Sequence, residues 1–163
     1  MKFSQKITPY LWFDGNAEEA VEHYTSLFSG SRVVKVARWG KGGPAPEGSV
    51  MNIAFELAGQ PFIALNGGPQ YKFTPAISLF VSCDDQAEVD RLWDRILAAG
   101  GKAVQCGWIT DKFGLSWQII PSALVDLMSD PDPKKAGRVG QAMMKMQKID
   151  IAELKRAYDD ANA

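Results

Sequence analysis

The stretch ITPYLWFDGNAEEAVEHY, residues 7–24, places a strand directly before a helix and decides the fold class. Residues 7–13 are apolar and aromatic, which is typical of a strand. Asn16 follows as a helix N-cap, and Glu19 three residues later completes a capping box. The residues after it form an apolar stripe at helical spacing: Ala17, Ala20, Val21, Tyr24, Leu27 and Phe28. The stretch therefore predicts a strand and an amphipathic helix that packs on it.

Three further strands are predicted after this helix. β-Branched and apolar residues occupy positions 32–39, 50–57 and 61–66, and the glycine- and proline-rich segment 40–49 separates the first two of these runs. Gly67-Gly68-Pro69 then breaks the pattern. The first part of the chain thus reads as a β-α-β-β-β unit.

The same order of elements starts again in the second half. A strand at 74–82 precedes a second capping box, Asp85 and Glu88, and strands follow at 102–109 and 116–120. Asn16 and Asp85 lie 69 positions apart, as do Trp39 and Trp108. A self-match in which strand, cap and helix stay in step indicates a duplicated unit. The two tryptophans then hold matched places, either in packing or as a shelf on which a ligand stacks.

The last part of the chain, residues 122–163, is predicted to be helical. Asp130-Pro131-Asp132-Pro133 marks a turn, and a third capping box begins at Asp150. Its apolar stripe includes Val139, Ala142, Met143 and Met146. We therefore expect paired modules over 1–121, at about 6–68 and 74–121, and a helical extension over 122–163 that covers either its own domain or a second subunit.

Composition argues against several partners. The chain has 163 residues, a net charge of −1 and 46% hydrophobic residues, which is ordinary globular composition. The sequence has no basic patch that would indicate nucleic-acid binding, and it has no apolar run long enough to span a membrane. Two cysteines form no disulfide framework or CxxC motif, and residues 1–6 show no signal-peptide pattern. A cytoplasmic protein with no nucleic-acid or membrane partner is expected.

Four stretches resemble one family in particular. ITPYLWFDGNAEEAVEHY, FIALNGGPQYKFTPAISLFVSC, QCGWITDKFGLSWQIIP and KMQKIDIAELKRAY are similar to the PhnB-like branch of the vicinal oxygen chelate superfamily. That superfamily includes glyoxalase I, extradiol dioxygenases and bleomycin-resistance proteins. The branch often carries the label 3-demethylubiquinone-9 3-methyltransferase domain. The resemblance runs from about residue 6 to residue 158, and it implies an α+β fold of two tandem βαβββ modules with C-terminal helices.

The resemblance also implies where a site would lie. In metal-using relatives each sheet forms a cup, and four histidine or oxygen ligands come from the first and fourth strands of the two modules. Here those positions fall on Pro9, Ala64, Ser78 and Gln118. A shifted alignment of the fourth strand would put the second position on Asn66 instead of Ala64. These residues are weak or absent ligands for a dication. No metal and no other cofactor is therefore expected.

Alternation along the strands predicts which side chains face the cup. If Pro9, Ser78 and Gln118 do so, Ile120 faces the cup as well, and the candidate ligand-binding residues are Leu11, Phe62, Asn66, Ser78, Phe80, Ser116 and Gln118. The large apolar set that alternates with them would then face the helices: Tyr10, Trp12, Ile63, Leu65, Leu79, Val81, Trp117 and Ile119. A cup of mixed apolar and polar residues suits a small organic ligand.

Each candidate also has a purely structural interpretation. Gln118 either orients a ligand or is a satisfied buried amide, and Asn66 is either a ligand contact or a turn residue. His23, the only histidine, lies on the first helix, where a solvated role is favoured. Cys106 has no evident base beside it, so a nucleophilic role is disfavoured.

Three functions remain open from the sequence. The first is a metal-independent small-molecule-binding protein, with a small organic ligand as partner. The second is a glyoxalase- or dioxygenase-like enzyme, and the third is a dimeric interaction module with a vestigial pocket. Methyltransferase activity is disfavoured because the Asp14-Gly15-Asn16 turn lacks the glycine pattern of a nucleotide-binding βαβ unit. A homodimer is expected, since the resemblance implies that open sheets of this kind close against another module, either within the chain or across subunits.

Overall fold

The computed structural model describes residues 5–160 and divides them into two compact units. The first unit reaches Lys72, and the second starts at Phe73. Each unit contains one four-stranded sheet, and the chain as a whole is α+β. The predicted fold class, two βαβββ modules followed by C-terminal helices, is confirmed. None of the helices in the described residues is long and apolar enough to cross a membrane.

The first unit is a mixed sheet covered by one helix. Its sheet order is β1-β4-β3-β2, in which only β1 and β4 are parallel. Helix α1 packs against β2, β3 and β4 and buries Val21, Tyr24 and Leu27. The elements are β1 (Tyr10–Phe13), α1 (Ala17–Leu27), β2 (Arg32–Arg38), β3 (Val50–Leu57) and β4 (Gln60–Asn66).

The second unit repeats this topology. Its sheet order is β5-β8-β7-β6, again with one parallel pair, β5 with β8. Helix α2 packs against β5, β6 and β8, and its N-cap Asp85 accepts a hydrogen bond from Glu88 N at 2.8 Å. The elements are β5 (Ser78–Cys83), α2 (Gln86–Ala98), β6 (Lys102–Ala103), β7 (Trp108–Thr110) and β8 (Ser116–Pro121).

The single strand predicted over 102–109 is wrong, because a turn divides it into β6 and β7. Cys106 and Gly107 both have positive φ angles, 57° and 82°. Their backbone N–H groups donate to Met146 O at 2.8 Å and Gln147 O at 2.7 Å. The strand is therefore interrupted between β6 and β7, where the backbone forms hydrogen bonds to the C-terminal segment instead of continuing the sheet.

Three helices form this C-terminal segment, which belongs to the second unit. They are α3 (Ser122–Met128), α4 (Pro133–Met143) and α5 (Ile151–Asp159). They share one buried cluster with the end of β8: Ile120, Leu124, Val139, Met146, Ile149 and Leu154. The extension thus covers part of its own unit, one of the two arrangements that the sequence left open.

Polar bonds fix the extension to the start of α2. The side chain of Gln86 donates to Ile149 O at 3.0 Å and accepts from Ile151 N at 2.8 Å. Lys148 Nζ lies 2.8 Å from a carboxylate oxygen of Asp90. Because these partners are more than 50 residues apart in the sequence, they hold the extension in one position on the unit.

A buried carboxylate organises the turn before β8. Asp111 is 5% exposed and accepts hydrogen bonds from Phe113 N at 2.9 Å, Leu115 N at 3.0 Å and Trp117 Nε1 at 2.9 Å. Several hydrogen-bond donors stabilise a buried carboxylate. If the carboxylate is removed, the buried donors lose their acceptor, and this lowers the stability of the fold. Asp111 therefore fixes the direction in which β8 starts.

Substitution Asp111→Ala is expected to lower the free energy of unfolding by about 3 kcal/mol, since it strands buried N–H donors. The measurement is urea unfolding followed by circular dichroism. Asp126→Ala, at an exposed position on α3, serves as the control and should leave the midpoint unchanged. Equal midpoints for the two variants would contradict the structural role given to Asp111.

Candidate ligand-binding site

The face of the second sheet opposite α2, called the open face below, carries the main predicted site residues. In the parallel β5–β8 pair, Phe80 lies beside Gln118 and Ser78 beside Ser116. Gln118 Nε2 donates to Ser78 Oγ at 2.9 Å. The ring of Phe80 is 55% exposed. The structure thus brings together a hydroxyl, an amide and an exposed aromatic ring.

A cavity of about 370 Å³ opens on this face. It is lined by Phe80, Cys106, Trp108, Gln118, Ile120, Leu124, Val125, Met128, Ser129 and Met143. None of these described side chains carries a charge. The volume lies near the lower end of the range of about 300–1,000 Å³ typical of small-molecule pockets. The cavity is therefore a neutral, mainly apolar site with the Gln118 amide as its principal polar group.

Alternation along β8 explains which side chains reach the cavity. Gln118 and Ile120 line it, whereas Trp117 and Ile119 are fully or almost fully buried on the other side of the strand. Trp108 pairs with Gln118 and shares the open face. The predicted faces of β8 are therefore correct, although Ser116 is 3% exposed and does not line the cavity.

In the first unit the predicted faces are wrong. Leu11 and Phe62 are each 5% exposed, and Phe13, which shares a face with Leu11, contacts Tyr24 of α1 at a ring-centroid distance of 6.5 Å. Phe62 stacks on the buried Phe55 at 5.5 Å. These side chains belong to the core beneath α1. The opposite face instead carries residues predicted for the core: Tyr10, Trp12, Ile63 and Leu65.

A one-residue difference in the strand–helix turn causes this inversion. Phe13 ends β1 three residues before the N-cap Asn16, whereas Cys83 ends β5 two residues before Asp85. The caps are therefore 69 positions apart and the strands 70. A shift of one residue moves every side chain of a strand to the other face. Aligning the modules on their caps consequently gave the wrong faces for β1.

The same correction changes the position that corresponds to Gln118. Phe80 pairs with Gln118, and its counterpart Tyr10 pairs with Ile63. Ile63 therefore replaces Ala64, which is fully buried on the helix side. Ile63 has no side-chain donor atom. The corrected alignment matches Ser78 with Thr8 in place of Pro9.

Asn66 is a structural residue in this fold. Its Oδ1 accepts from Ala17 N at 2.9 Å, and its Nδ2 donates to Val50 O at 3.1 Å. Asn16 occupies the N-cap position but makes no side-chain cap bond, so the predicted capping box at Asn16 and Glu19 is wrong. Asn66 supplies the missing cap from β4. The structural interpretation predicted a turn residue, whereas Asn66 ends β4 and bonds to the start of α1. Asn66 also lines the second cavity, described next.

A second cavity, of about 690 Å³, lies within the first unit beneath the 39–49 loop. Asp14, Glu18 and Arg38 bring charges to its lining, and Trp39 contributes an indole. The repeated tryptophans Trp39 and Trp108 thus each line a cavity in their own unit. The sequence left open whether the two tryptophans pack or form a shelf for a ligand. In the structure Trp39 follows β2 and Trp108 begins β7, so their positions in the two units are not equivalent.

The predicted site contained only two of the ten residues that line the cavity in the second unit, Phe80 and Gln118. The other eight were absent from it: Cys106, Trp108, Ile120, Leu124, Val125, Met128, Ser129 and Met143. Five of these residues belong to the helical extension, whose position depends on contacts distant in sequence. His23 lies on α1, half-buried with its ring 5.9 Å from that of Tyr24, rather than in the solvated position predicted for it.

The residues of this site do not fit a divalent cation. Ser78 Oγ is engaged by the Gln118 amide, and a neutral amide and a hydroxyl are weak ligands for a dication. Within residues 5–160 no group of three or more His, Cys, Asp or Glu side chains is placed to hold a metal ion. The donor set therefore gives no basis for metal chemistry at Gln118.

The two cysteines lie in different environments. Cys83 is fully buried beneath α2, and burial, reinforced by the Glu88 carboxylate, raises the pKa of its thiol to about 12. Cys106 is half-buried and lines the cavity. Both are free thiols. Cys106 can therefore report on whether the cavity is occupied.

Comparison with known proteins agrees with this architecture of duplicated βαβββ units. Residues 5–120 match the family described as 3-demethylubiquinone-9 3-methyltransferase. The PhnB protein from Bacillus cereus is 39% identical, with a TM-score of 0.64 over 70% of this chain and 97% of that one. Protein PA1353 from Pseudomonas aeruginosa is 25% identical, with a TM-score of 0.57 over 70% and 95% of the two chains.

A curated relative gives the same result. Protein YjdN of Escherichia coli strain K12 is 23% identical over 137 residues, which cover 69% of this chain and 92% of that protein. The chain belongs to the family described as 3-demethylubiquinone-9 3-methyltransferase, which includes the PhnB protein from Bacillus cereus. The family predicted from the sequence is confirmed over residues 5–120, and the match does not cover the predicted resemblance from there to residue 158.

Brief alkylation of the native protein with N-ethylmaleimide is expected to label Cys106 and leave Cys83 unmodified. The thiolate is the reactive form, and both burial and the raised pKa keep Cys83 protonated. Peptide mass spectrometry gives the site of labelling. Unfolding in guanidinium should expose both thiols, and Cys106→Ser should remove the native label. Rapid labelling of Cys83 in the native protein would show that its environment is described wrongly.

Proposed function

We propose that this chain is a small-molecule-binding protein that holds its ligand on the open face of the second sheet without a metal ion. The observation that supports this most strongly is the cavity of about 370 Å³ bounded by Phe80, Trp108 and Gln118. It combines apolar walls with a polar group that can orient a ligand, as small-molecule sites do.

The hydrogen-bonding capacity of Gln118 supports an organic ligand. Its bond to Ser78 uses one N–H of the amide. The second N–H and the carbonyl oxygen remain available to a molecule in the cavity. A ligand with one acceptor and one donor on the same edge, such as an amide, could satisfy both.

The family description names a methyltransferase, but the topology favours binding. Each sheet in the described residues has one parallel pair and two antiparallel pairs. The common S-adenosylmethionine enzymes instead bind their cofactor at the switch point of a parallel sheet with a glycine-rich turn. The proposed small-molecule binding does not require S-adenosylmethionine.

The homodimer and the cytoplasmic location stay predictions. Exposed apolar side chains of the first unit favour association, since Tyr10 is 54% and Tyr71 is 68% exposed. Two free thiols favour a reducing compartment. Light scattering over a range of protein concentrations tests the first of these predictions directly.

The proposed function is tested by thermal shift after chelator treatment. Zn²⁺, Ni²⁺, Mn²⁺ and Fe²⁺ are expected to leave the melting temperature unchanged. Neutral aromatic amides and phenols are screened in parallel, and at least one is expected to raise it, because a ligand at 100 times its Kd adds about 2.7 kcal/mol.

The variant Gln118→Leu supplies the site-specific arm of this test. It keeps the side-chain size but loses the amide, so the best ligand of the screen is expected to bind about tenfold more weakly. A large shift with one stoichiometric metal ion would contradict metal-independent binding. If no compound in the screen raises the melting temperature, the result would count against ligand binding and favour an interaction role.

A further inference from the structure

The helical extension lies beyond the residues that match the family model. The match ends at residue 120, and α3 begins at Ser122. The Bacillus cereus protein aligns over 97% of its own length but over only 70% of this chain. The contacts between the extension and the paired modules show what the extension adds to them.

The extension reaches the open face because β8 runs directly into α3. Pro121 is both the last residue of β8 and the N-cap residue of α3. Its neighbour Ile120 alternates with Gln118 onto the open face. Ile120 packs with Leu124 and Val139 in the buried cluster of the extension. The extension thus covers one end of the open face.

Half of the cavity wall comes from these helices. Five of its ten lining residues lie in the family module and five in the extension: Leu124, Val125, Met128, Ser129 and Met143. Without α3 and α4 the open face would be an uncovered sheet surface at this end. The extension converts it into a cavity with two walls.

The wall is held in a fixed position. Cys106 N and Gly107 N donate to Met146 O and Gln147 O, and Gln86 bonds to Ile149 and Ile151. A Cβ atom at Gly107 would lie 3.1 Å from Ile149 Cγ1, so the strand turn and the extension approach closely. A wall tied on two sides can discriminate between ligand shapes.

We propose that the extension determines ligand choice, and that the ligand is a flat, neutral aromatic molecule with one amide-like group. The ring would lie between the aromatic side chains Phe80 and Trp108 and the thioethers of Met128 and Met143. Its polar group would bond to Gln118. Sulfur–aromatic contacts and uncharged walls favour this class over ionic ligands. The inference rests on the proposed function, because it places the ligand in the same cavity.

The probe for this inference is 2-naphthamide, a flat neutral molecule with a single amide, with 2-naphthoate as its charged analogue. Affinities are measured by isothermal titration calorimetry on the full chain. The wild-type protein is expected to bind 2-naphthamide at least about tenfold more tightly than 2-naphthoate, since no charged side chain lines the cavity.

Two positions of the extension provide a pair of variants. Met128 lines the cavity and is 42% exposed, whereas Gln141 is exposed on α4 and does not line it. Met128→Trp fills the space and is expected to weaken 2-naphthamide binding at least about tenfold, a change of about 1.4 kcal/mol. Gln141→Trp is expected to leave the affinity unchanged. Val125→Trp, also at the cavity wall, replaces Met128→Trp if that variant does not fold.

The outcomes separate this inference from the proposed function. Loss of binding in Met128→Trp and Gln118→Leu, with Gln141→Trp unaffected, supports both. Loss in Gln118→Leu alone overturns the role of the extension and leaves the binding function standing. An equal loss in Gln141→Trp, or equal affinity for the naphthoate, overturns the inference. Absence of 2-naphthamide binding overturns the ligand class, and only a negative result in the wider thermal-shift screen also removes the proposed function.

Discussion

The parallel pairing of β5 with β8 is the constraint on which the second unit depends. It sets Phe80 beside Gln118 and Ser78 beside Ser116, so one face carries the amide, the hydroxyl and the exposed ring. The buried Asp111 holds the turn that leads into β8 and thereby fixes where this pairing starts. Slippage of β8 by one residue would exchange Gln118 for Trp117 on the open face. The site therefore follows from the register of a single strand pair.

The order of elements could be predicted because it depends on local signals. Capping residues and apolar stripes located α1, α2 and α5, and the repeat of those signals predicted two βαβββ units. The faces of β8 were also predictable, since alternation needs only one residue of known orientation. In β1 the same reasoning failed because the turn before Asn16 is one residue longer than the turn before Asp85. A single insertion that leaves the pattern intact reverses the two faces of a strand.

The remaining part of the site could not be predicted from local patterns. Apolar stripes showed that the extension must cover a surface, but they did not indicate which one. Its position depends on contacts such as Gln86 with Ile151 and Cys106 with Met146, which are distant in sequence. The same contacts divide the predicted 102–109 strand and bring Cys106 into the cavity. Elements placed by tertiary contacts, rather than by propensity, thus complete the site.

The central claim is that a ligand occupies the space between β8 and the helices α3 and α4. Methionine methyl groups report on this directly, since Met128 and Met143 line the cavity while Met51 lies on β3 of the first unit. The most direct measurement is an NMR titration of protein labelled with ¹³C at the methionine methyl groups, using 2-naphthamide. The account predicts ring-current shifts at Met128 and Met143 and an unmoved Met51 signal. Shifts at Met51 alone, or no shift at either cavity methionine under saturation, would contradict it.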